Sequence, residues 1–206
     1  MKVMNDIILS DDFGLALSAM QSCEQTSGIN MIEHGRMVKS SYAILLDAIS
    51  GRCEAPLGWR IPEWARNPNV LRGQFPRDIV DMYLLYHDCG KPLSRTVDEH
   101  GKVHYPDHAH KSQQLWTQLS SHLSPEQRDK NSIIARLMGM DMDIHTLKSD
   151  GVQEFAKRPE AMTLLLAGLA EVHANAGMFG GFDSVSFKIK VKHMEKRGRQ
   201  VISAMS

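Results

Sequence analysis

The spacing of apolar residues restricts this chain more than any other feature. In NMIEHGRMVKSSYAILLDAIS, Ile32, Val38, Tyr42, Leu45, Leu46 and Ile49 recur at intervals near three and four. That is the period that lines one face of an α-helix, and this helix is predicted to end at Gly51. PRDIVDMYLLYHD carries Ile79, Val80, Met82, Tyr83, Leu84 and Leu85 behind a proline suited to a first helical turn, with His87 and Asp88 at its C-terminal end. DHAHKSQQLWTQLSSHL, SPEQRDKNSIIARLM and RPEAMTLLLAGLAEVHANAG read in the same way. The second opens on a Ser-Pro-Glu cap, and the third runs from a proline to a glycine.

Between these segments the punctuation changes. Pro56, Gly58, Pro62 and Pro68 cannot sustain a helix, so a loop is expected there, packed down by Trp59 and Trp64. From Ser94 to Tyr105, apolar and polar residues alternate around His100-Gly101, which predicts a short hairpin or extended loop. DSVSFKIKVKHMEKRGRQVISAM is expected to be a last helix over 184–203, although VSFKIKVKH alternates with the period of a strand. No internal repeat, low-complexity tract or linker interrupts the chain. The expected fold class is all-α, a helical bundle forming one domain over 1–206.

Charge and cysteine usage remove several function classes. With 24 basic and 24 acidic residues, no global field favours nucleic acid, a membrane surface or an acidic partner. Cys23, Cys53 and Cys89 are odd in number and widely spaced, without a CxxC pair, and read as free thiols. At the N-terminus, MKVMNDIILSDDFGLALSAM breaks its apolar runs with Asp6, Asp11 and Asp12, so neither a signal-peptide core nor a membrane span is expected. A cytoplasmic location follows as an expectation, and a homo-oligomer is compatible with the sequence.

Five of the ten histidines fall between His87 and His110. Neutral imidazole and carboxylate are ligands for Zn, Mn, Fe, Ni or Co. His87 and Asp88 are neighbours, about 100° apart on a regular helix, so they can converge on one ion only at a helix end, where Gly90 and Pro92 place them.

The block LLYHDCGKP, followed by SRTVDEHGKVHYPDHAHKS, resembles the HD-domain metal-dependent phosphohydrolase superfamily, most closely the HD domain attached to bacterial tRNA nucleotidyltransferases. His87, Asp88, Gly90, Lys91, Pro92, Ser94-Arg95, Asp98, Gly101, Val103, Tyr105, His108 and Ser112 carry the likeness in order. Upstream, IEHGRMV resembles the superfamily's first-histidine segment and contributes His34; downstream, MGMDMDIHTLKSDG contributes His145. The likeness covers a recognisable core of about 30–176, with 184–203 as a helical extension.

The resemblance implies an HD-domain helical bundle and phosphoester hydrolysis assisted by a divalent transition metal, Mn, Ni, Co, Fe or Zn, with Mg also compatible. His34, His87, Asp88 and a late acid would bind the ion. The superfamily's late Asp is replaced: Glu171 stands at the expected position, with His173 and Asp183 as the other candidates. Lys91 and Arg95 would face the substrate phosphate, and His108 and His145 would bind a second ion, contact phosphate or transfer protons. A chain of 206 residues leaves no room for a nucleotidyltransferase head, so CCA addition is not expected.

Other features have simpler explanations. His100, His122 and His193 read as packed or capping residues, and His104 and His110 receive no role. The methionines fit adaptable core filling. Lys188, Lys190, Lys192, Lys196, Arg197 and Arg199 suit a solvated helix face, while an RNA contact through this segment stays open. Three functions follow as expectations. The first is a phosphohydrolase for nucleotides or RNA ends, acting as a 2′,3′-cyclic phosphodiesterase, phosphatase or nucleotidase. The second is a deoxynucleotide or dNTP phosphohydrolase. The third is a catalytically degenerate HD module that binds RNA, a nucleotide or a protein partner.

Overall fold

A computed structural model describes residues 11–205 apart from Ser27 and His122. The readings of the N-terminal decapeptide and of His122 lie outside the described residues. Among the described residues 67% are helical and 5% are in strands. The first half contains helix α1 (Asp11–Ser22), strands β1 (Glu24–Thr26) and β2 (Ile29–Asn30), and helices α2 (Met31–Ile49), α3 (Pro68–Arg72), α4 (Arg77–Tyr86) and α5 (Lys91–Ser94). Strands β3 (Thr96–Val97) and β4 (Val103–His104) follow, then α6 (His108–Leu119), α7 (Pro125–Gly139), α8 (Asp143–Thr146), α9 (Val152–Ala156), α10 (Ala161–Ala174) and α11 (Val185–Ala204). Among the described residues no helix is long and apolar enough to cross a membrane.

The described residues form two compact units, 11–36 with 78–141, and 37–77 with 142–205. In the first, Tyr86 stacks on Trp116 at 5.6 Å between ring centroids, and Phe13 meets Tyr86 edge-on at 5.3 Å. The buried Trp116 indole N–H donates to Asn131 Oδ1 at 3.1 Å, so the ring's polar edge does not go unmatched in the core. Helix α7 begins where the sequence places it: the Ser124 N–H donates to Gln127 Oε1 at 3.0 Å, one bond of a capping box. Strands β3 and β4 pair antiparallel, Thr96 with His104 and Val97 with Val103, around Gly101 at φ 75°. This is the expected hairpin, and the left-handed turn falls on the residue that tolerates it.

In the second unit, α10 is buried on every side from Ala161 to Ala170, as a helix apolar all round must be. Helix α11 settles the ambiguity of VSFKIKVKH. Its buried residues are Phe187, Val191, Met194, Gly198 and Val201, at intervals of four and three, while Val185 and Ile189 are exposed. The strand-like alternation is local, and the longer period decides. Ser184 caps the helix, its Oγ accepting from the Phe187 N–H at 3.1 Å. Trp64 is buried, and a Cβ at Gly198 would overlap its indole, so glycine lets α11 accept the ring. Trp59 stacks on His173 at 4.4 Å, and together the two tryptophans hold down the proline-rich loop as the sequence suggests.

Candidate metal and phosphate site

The chain leaves α4 at Tyr86 through a tight turn. The Cys89 N–H donates to the Tyr86 carbonyl at 2.9 Å and the Lys91 N–H to the Asp88 carbonyl at 3.0 Å. The regular helix stops before His87, which frees His87 and Asp88 from the divergence helical neighbours would have. Both side chains are buried.

Asp88 is the hub of the first unit. Its Oδ2 lies 3.3 Å from His87 Nε2, 3.6 Å from His34 Nε2 and 2.7 Å from Lys91 Nζ. Its Oδ1 lies 3.7 Å from His108 Nε2. Burial alone would raise the Asp88 carboxyl, but the flanking His87, the Lys91 ammonium and the nearby His34 hold it well below the usual carboxylate range. The group is therefore an anion with cationic or ligating side chains on several sides.

Two of the imidazoles are fixed from behind. His87 Nδ1 sits 2.9 Å from the Leu84 carbonyl, and His108 Nδ1 sits 2.9 Å from that of Tyr105. A carbonyl only accepts, so Nδ1 carries the proton and Nε2 presents a lone pair in each neutral ring. This is the arrangement by which proteins orient histidine ligands.

Gly35 brings His34 into reach. A Cβ there would stand 2.8 Å from the Leu85 carbonyl carbon and 3.1 Å from its Cα, so this turn of α2 crosses α4 in backbone contact. One ring nitrogen of His34 then lies within 4.8 Å of one of His87. Gly90 performs the same service for His108. Its N–H donates to Ser112 Oγ at 2.8 Å, and a Cβ would come within 2.6 Å of the His108 carbonyl oxygen. The two halves of the motif, His-Asp-x-Gly and His-x-x-x-Ser, are thus joined by buried hydrogen bonds from the Gly90 N–H and the Cys89 thiol to Ser112.

The donor set fits a divalent ion. Ligand bonds of about 2.0–2.2 Å put adjacent ligand atoms roughly 2.8–3.1 Å apart around an octahedral centre and roughly 3.3–3.6 Å apart around a tetrahedral one. The 3.3 and 3.6 Å separations from Asp88 Oδ2 match the tetrahedral spacing. Nitrogen donors with one carboxylate suit transition metals.

Lys91 is buried and shared: its ammonium donates to Asp88 Oδ2 and to Gln25 Oε1, each at 2.7 Å, and stands 5.6 Å from the Tyr105 ring centroid. Gln25 was not singled out by sequence, because CEQT carries neither a periodic pattern nor a chemical motif. Tyr105 donates to the Glu24 carbonyl at 2.7 Å; burial and the neighbouring Cys23 push its phenol up to about 12, so it is a neutral donor at ordinary pH. Arg95 is exposed just beyond α5. His104 reaches Asp98 at 2.7 Å and His110 reaches Asp107 at 3.3 Å on the surface, and His100 and His193 are exposed.

The late candidates lie in the second unit. Glu171 Oε2 meets His145 Nε2 at 2.9 Å, with both side chains half-buried. His173 is occupied in holding structure together. Its Nδ1 is 2.8 Å from the Leu169 carbonyl, its Nε2 accepts from the Arg60 N–H at 3.2 Å, and burial lowers its pKa. With both ring nitrogens engaged it has no lone pair for a metal, which removes it as the late ligand. Asp183 is fully exposed and 3.8 Å from Lys188, a surface position. The basic residues of α11 are exposed except for the half-buried Arg197.

No protein-family model, curated protein or solved structure matches the chain.

Proposed function

We propose that the protein is a metal-dependent phosphohydrolase acting on nucleotides or RNA ends. The observation that carries this reading is the convergence of His34, His87 and His108 on the buried, ionised Asp88, beside the ammonium of Lys91. His34 Nε2, His87 Nε2 and Asp88 Oδ2 would hold the ion. On sequence grounds the resemblance assigns the late carboxylate to Glu171, and loss of bound metal in Glu171→Gln is the corresponding test. A bound divalent ion lowers the pKa of water toward neutrality and offsets charge that develops on phosphoryl oxygens.

The chain's own groups would do the rest. Lys91 anchors a phosphoryl oxygen through its ammonium, and Asp88 and Gln25 hold that ammonium in place. As water adds to phosphorus and the ester P–O bond breaks, the departing alcohol oxygen needs a proton. His108, oriented by the Tyr105 carbonyl, can deliver one from Nε2 when its ring is protonated. The products are a free alcohol and a phosphate. Ring opening of 2′,3′-cyclic nucleotides to nucleoside monophosphates, or phosphate release from nucleoside monophosphates, restored to dialysed protein by one of Mn, Ni, Co, Zn or Mg and lost in His87→Ala with Asp88→Ala, is the test. Full activity in the double variant would exclude the proposal.

A further inference from the structure

A cleft of about 610 Å³ opens beside Lys91 in the first unit. Ser22, Glu24, Gln25, Thr26, Arg95 and Tyr105 supply its polar walls, and its apolar lining is limited to the small Ala19, Pro92 and Val103 and the edge of Cys23. The volume is in the range of small-molecule sites, roughly 300–1,000 Å³.

The cleft is connected to the reaction centre through one side chain. Gln25, in its wall, accepts from the same ammonium that contacts Asp88, and Tyr105, also in its lining, presents its ring to that ammonium at 5.6 Å. The walls are also tied together: the Tyr105 hydroxyl donates to the Glu24 carbonyl at 2.7 Å, linking the segment after β4 to β1. A group that left the phosphorus at Asp88 and Lys91 would enter a preformed compartment.

We infer that this cleft holds the leaving alcohol and selects a ribonucleotide that carries a second phosphate, with Glu24 reading the ribose 2′-hydroxyl and Arg95 the distal phosphate. The inference rests on the phosphohydrolase reading. Its chemistry follows from the lining. Three hydroxyls, an amide and a carboxylate match a sugar and offer little to an apolar acid or a lipid chain. A carboxylate accepts from a ribose 2′-hydroxyl, a use to which Asp and Glu are put in nucleotide sites. Arg95 brings a planar guanidinium, which suits phosphate better than a neutral base. Glu24 and Arg95 are both exposed, so each can engage a ligand without breaking the core.

Titration calorimetry on the full chain in EDTA tests this without turnover, using adenosine 3′,5′-bisphosphate, its 2′-deoxy analogue and adenosine 3′-monophosphate. Glu24→Ala should weaken the bisphosphate tenfold or more while changing the deoxy analogue by less than twofold. Arg95→Ala should weaken the bisphosphate by a similar factor and the monophosphate by less than twofold. Equal losses on all three ligands, or no loss, would overturn the inference. Phosphate release measured alongside separates the two ideas. If the pattern appears without hydrolysis by any metal form, the cleft stands and the hydrolase reading fails; if hydrolysis appears without the pattern, the cleft assignment fails alone.

Discussion

Replacing Gly35 by alanine sets two effects of known size against each other. Alanine in a helix interior is favoured over glycine by about 1 kcal/mol. Against this, the new Cβ would stand 2.8 Å from the Leu85 carbonyl carbon and closer still to its oxygen. Carbon atoms pack at about 3.5 Å, so the helices must part by roughly 0.7 Å at that carbon and by more at the oxygen. Overpacking of this kind costs about 1–3 kcal/mol, and the obstructing atoms are backbone, which cannot swing aside. The clash should win, leaving Gly35→Ala up to about 2 kcal/mol less stable than the parent. Gly14→Ala in α1 is the control: nothing lies within 4 Å of its Cβ, so it should gain about 0.5–1 kcal/mol. Urea unfolding followed by circular dichroism reads both. Because Gly35 adjoins His34, the same displacement should also cost phosphate release on the order of 100-fold, the scale of a 1 Å misplacement at a reacting centre. If Gly35→Ala is stabilised as much as Gly14→Ala, the close crossing of α2 and α4 is not how His34 is placed.

Three further outcomes follow from particular contacts. Ser112→Ala removes the acceptor of the buried Gly90 N–H and should cost about 1–3 kcal/mol in urea unfolding, with weaker cobalt(II) binding than the parent; unchanged values would deny that this bond locks the motif. His173 is neutral when folded because burial lowers its pKa, so below about 6.5 the unfolded chain binds a proton that the folded chain resists. Its contribution is fully present above that value and is lost as pH falls toward the folded pKa, so the drop in urea midpoint from pH 7.5 to 5.5 should be smaller in His173→Phe than in the parent; parallel profiles would refute this. Among the thiols, Cys53 is exposed whereas Cys23 and Cys89 are buried, and burial pushes Cys89 up to about 12. A disulfide-exchange reagent at pH 8 should therefore titrate one fast thiol in the native protein and three after denaturation, and rapid reaction of all three in the native state would contradict the placement of Cys89.

Much of the fold was legible because the apolar period carries it. Helix α2 ends at Ile49 with Gly51 at φ 72°, two residues beyond, close to where the sequence puts the stop. The hairpin turns at Gly101, and α11 spans Val185–Ala204 where 184–203 is expected. The His87-Asp88 cluster was legible because its chemistry is written in consecutive residues. Contacts made at a distance were not. Gln25 reaches Lys91 across 66 positions, and no local pattern marks a glutamine in a three-residue strand. His173 occupies a place where a ligand could stand, and only its two hydrogen bonds, one to the Arg60 N–H 113 residues away, show that it anchors a loop. The spacing of Gly90 and Ser112 was visible as a motif, but the reason for it is a hydrogen bond between separate elements.

The most direct measurement is elemental analysis of the purified chain before and after dialysis, coupled to phosphate release on re-addition of each divalent metal, with Asp88→Ala and His87→Ala beside the parent. The account predicts a transition metal bound to the parent in a fixed ratio, activity that returns with it, and loss of both in each variant. An intact parent that neither retains metal nor releases phosphate, or variants that bind and hydrolyse as the parent does, would contradict a metal centre built on Asp88.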